Sequence, residues 1–176
     1  MGLSEQDVDL IFPTLSPYNS NPFSSRYLGV LGNYLNEEQE SELAILAVSA
    51  TETRVDHTPE MAIDGNPATK WTAKGRGIQY LIQLETTSNV SKLNYSQAKG
   101  DVRQYEFDIE VSNNGIDFEL VGQVLTPGST TETVTQTIGK TGVNFIRLTC
   151  NGNNGDDPKL VLWNNFQTLA VLGYTT

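Results

Sequence analysis

The chain has 176 residues, one cysteine and a formal net charge of -10. The length suits one main domain with a shorter appendage. The acidic balance argues against general binding to nucleic acid or anionic membrane, both of which need a basic face, and a lone Cys150 excludes an internal disulfide framework.

No apolar stretch is long enough to span a membrane. Met1-Gly2-Leu3-Ser4-Glu5 lacks the basic start and apolar core of a secretion signal. Either a signal has been removed, placing the protein outside the cell, or the protein is made and used without that export route. Ser4 to Leu10 reads as a short helix, with Ser4 as cap and Glu5 and Asp7 at the positive end of the helix dipole. Pro13 to Asn33 is rich in Pro, Ser, Asn and Gly yet carries Tyr18, Phe23, Tyr27, Leu28 and Val30. A passive linker is polar; a segment studded with aromatic side chains wants a surface to lie on. That surface is either its own domain or a partner subunit. Asn36 is placed to cap a second short helix at the acidic run 37–42. The boundary therefore falls near residues 36–45, giving an arm over 1–45 and a domain over 46–176.

From Leu46 the chain reads as strands and turns. The domain is organised around Asp101 to Gly115. Tyr105, Phe107, Ile109 and Val111 alternate with Gln104, Glu106, Asp108 and Glu110, the pattern of a strand with one wet face. Asn113-Asn114-Gly115 supplies a tight hairpin, so the run from Phe118 returns antiparallel. The other expected strands are Leu46–Thr51, Gln79–Leu84, Val90–Gln97, Glu132–Ile138, Asn144–Cys150 and Phe166–Leu172. About eight short strands with no helical period predict an all-β jelly-roll β-sandwich behind an irregular N-terminal arm. The polar stretch Asn151–Lys159 is long for a hairpin and is a candidate functional loop.

Charge is uneven along the chain. Residues 1–60 hold ten acids against Arg26 and Arg54, whereas residues 70–103 hold Lys70, Lys74, Arg76, Lys92, Lys99 and Arg103 against Glu85 and Asp101. An acidic protein can thus present one locally basic surface. Asp64-Gly65-Asn66-Pro67-Ala68-Thr69 offers oxygen ligands only, which suits a hard cation such as Ca²⁺ and equally suits ordinary turn chemistry. Trp71 reads as core. The lone His57 and Cys150 have no partner that spacing places beside them, no His and Cys cluster has metal-ligand spacing, and no Gly-rich phosphate loop is present. The sequence therefore predicts no enzyme.

The run from Ala47 to Gly173 resembles the discoidin, or coagulation factor 5/8 type C, family. Within it, the run resembles the family-32-like carbohydrate-binding modules of alginate lyases. The resemblance is carried by Ala62-Ile63-Asp64-Gly65-Asn66 with Thr69-Lys70-Trp71, by Gly77 to Leu84, and by Lys99-Gly100-Asp101-Val102-Arg103 with Phe107 to Ser112. Phe145-Ile146-Arg147-Leu148 with Asn151-Gly152-Asn153, and Trp163-Asn164-Asn165, complete it. The motifs occur in the family's order.

The resemblance implies an eight-stranded, galactose-binding-domain-like jelly roll without catalysis, binding glycans through loops at one end. It implies one structural Ca²⁺, held by Met61 and Asn66 through backbone oxygens and by Asp64 and Thr69. The family's usual Glu in the last strand is Thr168 here, which leaves that site one carboxylate short. The implied ligand surface is Lys99, Asp101 and Arg103 with Asn151, Asn153 and Asn154, and with Trp163 and Asn164. Arg103 suits a carboxylated sugar, since its fork binds a carboxylate bidentately; the other reading pairs it with Asp101 as a loop brace.

The function expected is a noncatalytic module for a surface or uronate-rich polysaccharide. It would be displayed from a larger assembly such as a phage virion, as a capsid decoration, head fibre or tail protein, with residues 1–45 docking on other subunits. Two alternatives stand beside it. One is a structural jelly roll that has lost its glycan. The other is an accessory module excised from a polysaccharide lyase.

Overall fold

The computed structural model describes residues 39–155, 157 and 159–175, and its compact unit runs from Glu40 to Thr176. The expected helices at Ser4–Leu10 and after Asn36, and most of the arm over 1–45, lie outside the described residues. Residues 40–45, assigned to the arm from sequence, belong to the unit. Strand β1 (Ser41–Glu42) pairs with the last strand, Leu43 is 3% exposed, and Ile45 opens β2 (Ile45–Ala50). The acidic run hid this short apolar anchor.

The remaining strands are β3 (Trp71–Lys74), β4 (Ile78–Ser96), β5 (Tyr105–Ser112), β6 (Glu119–Leu125), β7 (Val134–Asn153), β8 (Trp163–Phe166) and β9 (Thr168–Thr175). All pairs are antiparallel, and the fold is a β-sandwich. Sequence reading broke β4 and β7 into two strands each. The structure runs each through as one long strand that turns the corner of the sandwich. In β4 the ladder shifts register between Gln83 and Lys92, and such bulges bend and twist a strand without ending it. In β7 the corner falls at Gly139 and Gly142, both at positive φ. The turn signals there were real, but they bend the strand and do not reverse it.

The first halves of these strands and their second halves therefore serve different faces. One face is β2, the start of β4, the end of β7, β5 and β6; the other is the start of β7, the end of β4, β9 and β1. A small sheet of β3 with β8 closes one side. The alternation in β5 does what the pattern requires: Tyr105, Phe107, Ile109 and Val111 are buried and Glu106 is exposed. The hairpin after it is held by Asn114, whose side-chain oxygen accepts from the N–H groups of Ile116 and Asp117, each at 2.9 Å.

The core between the faces is aromatic. Phe166 meets Phe107 at 5.4 Å and stacks on Trp71 at 5.9 Å, while Tyr95 meets Phe107 edge-on at 5.3 Å. Each such side chain contributes roughly 1.5–3 kcal/mol by burial. Edge-to-face geometry adds about 0.5–1.5 kcal/mol per pair. Trp71, fully buried, is core as the sequence suggests.

Candidate functional site

The loop between β4 and β5 is tied down at both ends. Asn165 of β8 accepts from the Ala98 N–H at 2.7 Å and donates to the Tyr105 hydroxyl at 2.8 Å, and that hydroxyl donates to the Ala98 carbonyl at 2.7 Å. Burial pushes the Tyr105 phenol up, opposed by hydrogen bonds from Asn165 and Arg103. Lys99 takes a left-handed backbone, at φ 64°. Gly100 packs so closely that an added Cβ would stand 2.5 Å from the Thr130 carbonyl. The loop is thus a rigid mount for Lys99, Asp101 and Arg103.

What it mounts is a cleft of about 310 Å³. Arg54, Lys70, Lys99 and Arg103 contribute to its walls, with Trp163 and Tyr105 as aromatic surfaces. No described carboxylate lines it. The Lys74 ammonium stands 5.8 Å from the centroid of the Trp163 ring. Asp101 is exposed and lines a neighbouring, wider cleft. Among the described residues no ion pair joins Asp101 to Arg103, so the bracing pair weighed from sequence does not form. Arg54 and Lys70 complete the cationic wall. Lys70 belonged to the basic stretch visible in the sequence, but Arg54 sits in the acidic first third, and backbone bonds of its turn to Thr72, from the Arg54 N–H at 2.8 Å and to the His57 carbonyl at 3.3 Å, bring it here.

The asparagines expected beside these residues have other duties. Asn164 is 3% exposed; its amide donates to the Gly75 carbonyl at 2.8 Å and accepts from the Gly152 N–H at 2.7 Å. Asn153 donates to the carbonyls of Leu160 and Trp163 and accepts from the Gly155 N–H. Asn154 exchanges bonds with the backbone and side chain of Gln104, and Asn151 accepts from the Gly77 N–H at 3.2 Å. Their polar atoms shape the loop and tie down the Trp163 carbonyl and Gln104, the chain neighbour of Arg103. The sequence cannot distinguish an amide aimed at a sugar from one aimed at a nearby carbonyl.

The oxygen-rich turn lies elsewhere. The Thr69 hydroxyl is 2.7 Å from Asp64 Oδ2, 2.7 Å from the Asn66 carbonyl and 3.3 Å from the Met61 carbonyl. All four candidate cation ligands therefore converge. One hydroxyl has one proton, and the Asn66 carbonyl also accepts from the Thr69 N–H at 3.1 Å, so at least one of the other two acceptors is left facing oxygen. A surplus of acceptors around an oxygen-only centre is what a hard cation satisfies. Thr168 instead meets the Ser96 hydroxyl at 2.7 Å.

Cys150 is buried, and burial raises its thiol far above the ordinary value, so it is neutral at physiological pH. The His57 ring nitrogen Nδ1 faces the Lys70 carbonyl at 3.2 Å. A nucleophile and its base are not brought together there.

The model of the F5/8 type C domain matches residues 47–164. No curated protein matches the chain significantly in sequence. Among solved structures, the CBM32 of AlyQ in complex with 4,5-unsaturated mannuronic acid is 26% identical, with a TM-score of 0.68 over 74% of this chain and 97% of that one. Truncated AlyQ with CBM32 and alginate lyase domains gives 24% identity and a TM-score of 0.70 over 79% of this chain. This chain spans 34% of that one. A pectin-binding carbohydrate-binding module is 20% identical, with a TM-score of 0.67 over 73% of this chain and 91% of its own. The fold is that of CBM32 modules, and domains of this kind are generally noncatalytic binding modules. With the family model covering most of the domain and the sandwich built as that family builds it, the chain belongs to the F5/8 type C, or discoidin, family.

Proposed function

We propose that this protein is a noncatalytic module that binds a uronate-containing polysaccharide in the cleft of Arg54, Lys70, Lys99, Arg103 and Trp163. One observation carries the reading: four cations share a cleft that no described carboxylate lines, on a chain of net charge -10. The overall charge repels an acidic polymer at distance. Screening limits that repulsion to about 8 Å at physiological salt, so at contact the local pattern decides. The Arg103 fork suits a carboxylate, the lysines add point charges, and Trp163 offers an apolar wall to a sugar ring. The relatives that bind an unsaturated mannuronate and pectin support an acidic sugar as ligand.

The residues of the oxygen-rich turn fit Ca²⁺, and we infer a single weak structural site there. Met61 and Asn66 would hold the ion through carbonyls, Asp64 through its carboxylate and Thr69 through its hydroxyl. The ion would fix the turn that precedes Trp71 and Lys70. The setting we propose is display from a larger assembly, such as the surface of a phage particle, with residues 1–39, outside the compact unit, as docking segment. Its support is the aromatic content of residues 13–33.

The test is calorimetric titration of the chain with oligouronates and neutral oligosaccharides, on wild type and Arg103→Ala. Saturable oligouronate binding that the folded Arg103→Ala loses is the expected result. A folded wild type that binds none of them ends the proposal and leaves a structural jelly roll.

A further inference from the structure

The cationic cleft does not end at Lys99. A second cleft, of about 620 Å³, shares Lys70, Ala98 and Lys99 with it. The two form one groove, with the two lysines at the junction. Across that junction the chemistry changes. The wider part carries the carboxylates of Asp101 and Glu132 and the hydroxyls of Thr131, Thr133 and Thr168. Neither carboxylate is ion-paired among the described residues. The walls are held in place: the Thr130 N–H donates to the Gly100 carbonyl at 3.2 Å, the Glu132 N–H to the Thr130 hydroxyl at 3.0 Å, and the Gln167 amide to the Pro67 carbonyl at 2.8 Å.

We propose that the groove is a two-part site for an acidic heteropolysaccharide: a uronate sits in the cationic cleft and an uncharged sugar of the same chain fills the wider one. This rests on the uronate reading given above and specifies which polymer satisfies it. An ionised carboxylate is an acceptor only. Asp101 and Glu132 therefore call for donors, which a sugar bearing hydroxyls and an amide N–H supplies. A second uronate would bring a third negative charge beside them. Both carboxylates are exposed, so the penalty is screened and modest. The groove discriminates between polymers by that difference, while Arg103 supplies affinity for either.

The experiment titrates the full chain with two tetrasaccharides of equal length. One alternates glucuronate with N-acetylglucosamine; the other is all galacturonate. The alternating chain is expected to bind about fivefold tighter. Asp101→Asn with Glu132→Gln is expected to erase that preference by tightening the all-uronate chain. Equal or tighter wild-type binding of the all-uronate chain, or a preference that survives the double substitution, overturns the two-part site and leaves the uronate reading standing. Failure of both tetrasaccharides to bind the wild type overturns both.

Discussion

Two arginines of this chain show how a fold uses charge. Arg147, in β7, is paired within the fold. Its guanidinium donates to both oxygens of Glu110 at 2.8 and 2.6 Å, the Thr149 hydroxyl donates to the same carboxylate at 3.0 Å, and the Phe118 ring lies 3.8 Å from the guanidinium carbon. Arg103, on the loop before β5, has no ion pair among the described residues and shares its cleft with Arg54, Lys70 and Lys99. A charge with a complete set of partners has its interaction energy spent within the fold. A charge whose neighbours share its sign costs the fold a little and keeps that energy for a ligand. The difference separates a structural arginine from one available to a ligand more sharply than exposure does.

The comparison is tested hardest by exchanging the roles. Arg103→Ala is expected to weaken oligouronate binding roughly a hundredfold, or about 3 kcal/mol. Its unfolding free energy from urea titration should fall by no more than about 1 kcal/mol, the cost of one hydrogen bond to Tyr105. An equal loss of stability and affinity would place Arg103 with Arg147. Glu110→Gln should do the opposite, costing about 2 kcal/mol of stability with oligouronate affinity unchanged. The pair is under a quarter exposed, so Arg147 would be left partly buried without its counter-charge.

That ion pair also has a pH signature. Hydrogen bonding from Arg147 chiefly, with Thr149, holds the Glu110 carboxyl below the usual carboxylate range against the opposing effect of burial. Because the folded value is depressed, its contribution is complete above the unfolded value, about 4.3. It is lost as pH falls through the folded value. The urea midpoints of wild type and Glu110→Gln should therefore converge below about pH 4.3. Parallel curves would show that the carboxylate is not what stabilises the pair.

Most of the sandwich was legible because period two states which face is buried, and β5 obeys it residue by residue. What escaped were features set by distant parts of the chain. Gly139 and Gly142 look like a chain reversal, yet they bend one strand, because β4 and β9 are there to continue the ladder. Strand β3 was not expected, since Trp71–Lys74 is too short to show a pattern and is a strand only by pairing with β8. Lys99, Arg103 and Trp163, grouped by residue type and motif, do line one cleft. Arg54 was not grouped with them, since backbone bonds to Thr72 bring its segment in. The four asparagines were misplaced in purpose, since the bonds that occupy their amides come from residues such as Gln104 and Gly75, 50 and 89 positions away.

Salt offers a smaller lever on the same contrast. Exposed charges are screened within about 3 Å at 1 M salt and 30 Å at 0.01 M. Raising NaCl from 0.05 to 0.5 M should therefore weaken oligouronate binding about tenfold if several cations meet the ligand at an open cleft. Arg147, held by short bonds and by a ring, should leave the urea midpoint nearly unchanged over that range. A salt-independent affinity would shift the weight of binding from the cations to Trp163.

The smallest effect concerns the oxygen-rich turn, where the logic of unpartnered charge runs with the opposite sign. The Thr69 N–H serves the Asn66 carbonyl and the Thr69 hydroxyl has one proton for the oxygens of Met61, Asp64 and Asn66, so the centre holds at least one acceptor without a donor. A divalent ion repairs that imbalance, but Asp64 supplies the only carboxylate among these four residues. Affinity for Ca²⁺ follows ligand charge, so the site should fall in the weak range of about 10⁻⁴–10⁻³ M. At ten times the dissociation constant, binding to the folded state alone adds about 1.4 kcal/mol, which for a domain of this size raises Tm by about 4 °C. Thermal melts with 10 mM CaCl₂ should show that rise in wild type and none in Asp64→Asn. Thr168→Glu, restoring the carboxylate that the family usually carries, should reach the same rise at lower Ca²⁺. A wild type indifferent to Ca²⁺ and a Thr168→Glu that responds would mean that this chain has given up its ion, and that the turn's own hydrogen bonds, from the Thr69 hydroxyl and the N–H groups of Asn66, Ala68 and Thr69, now hold it.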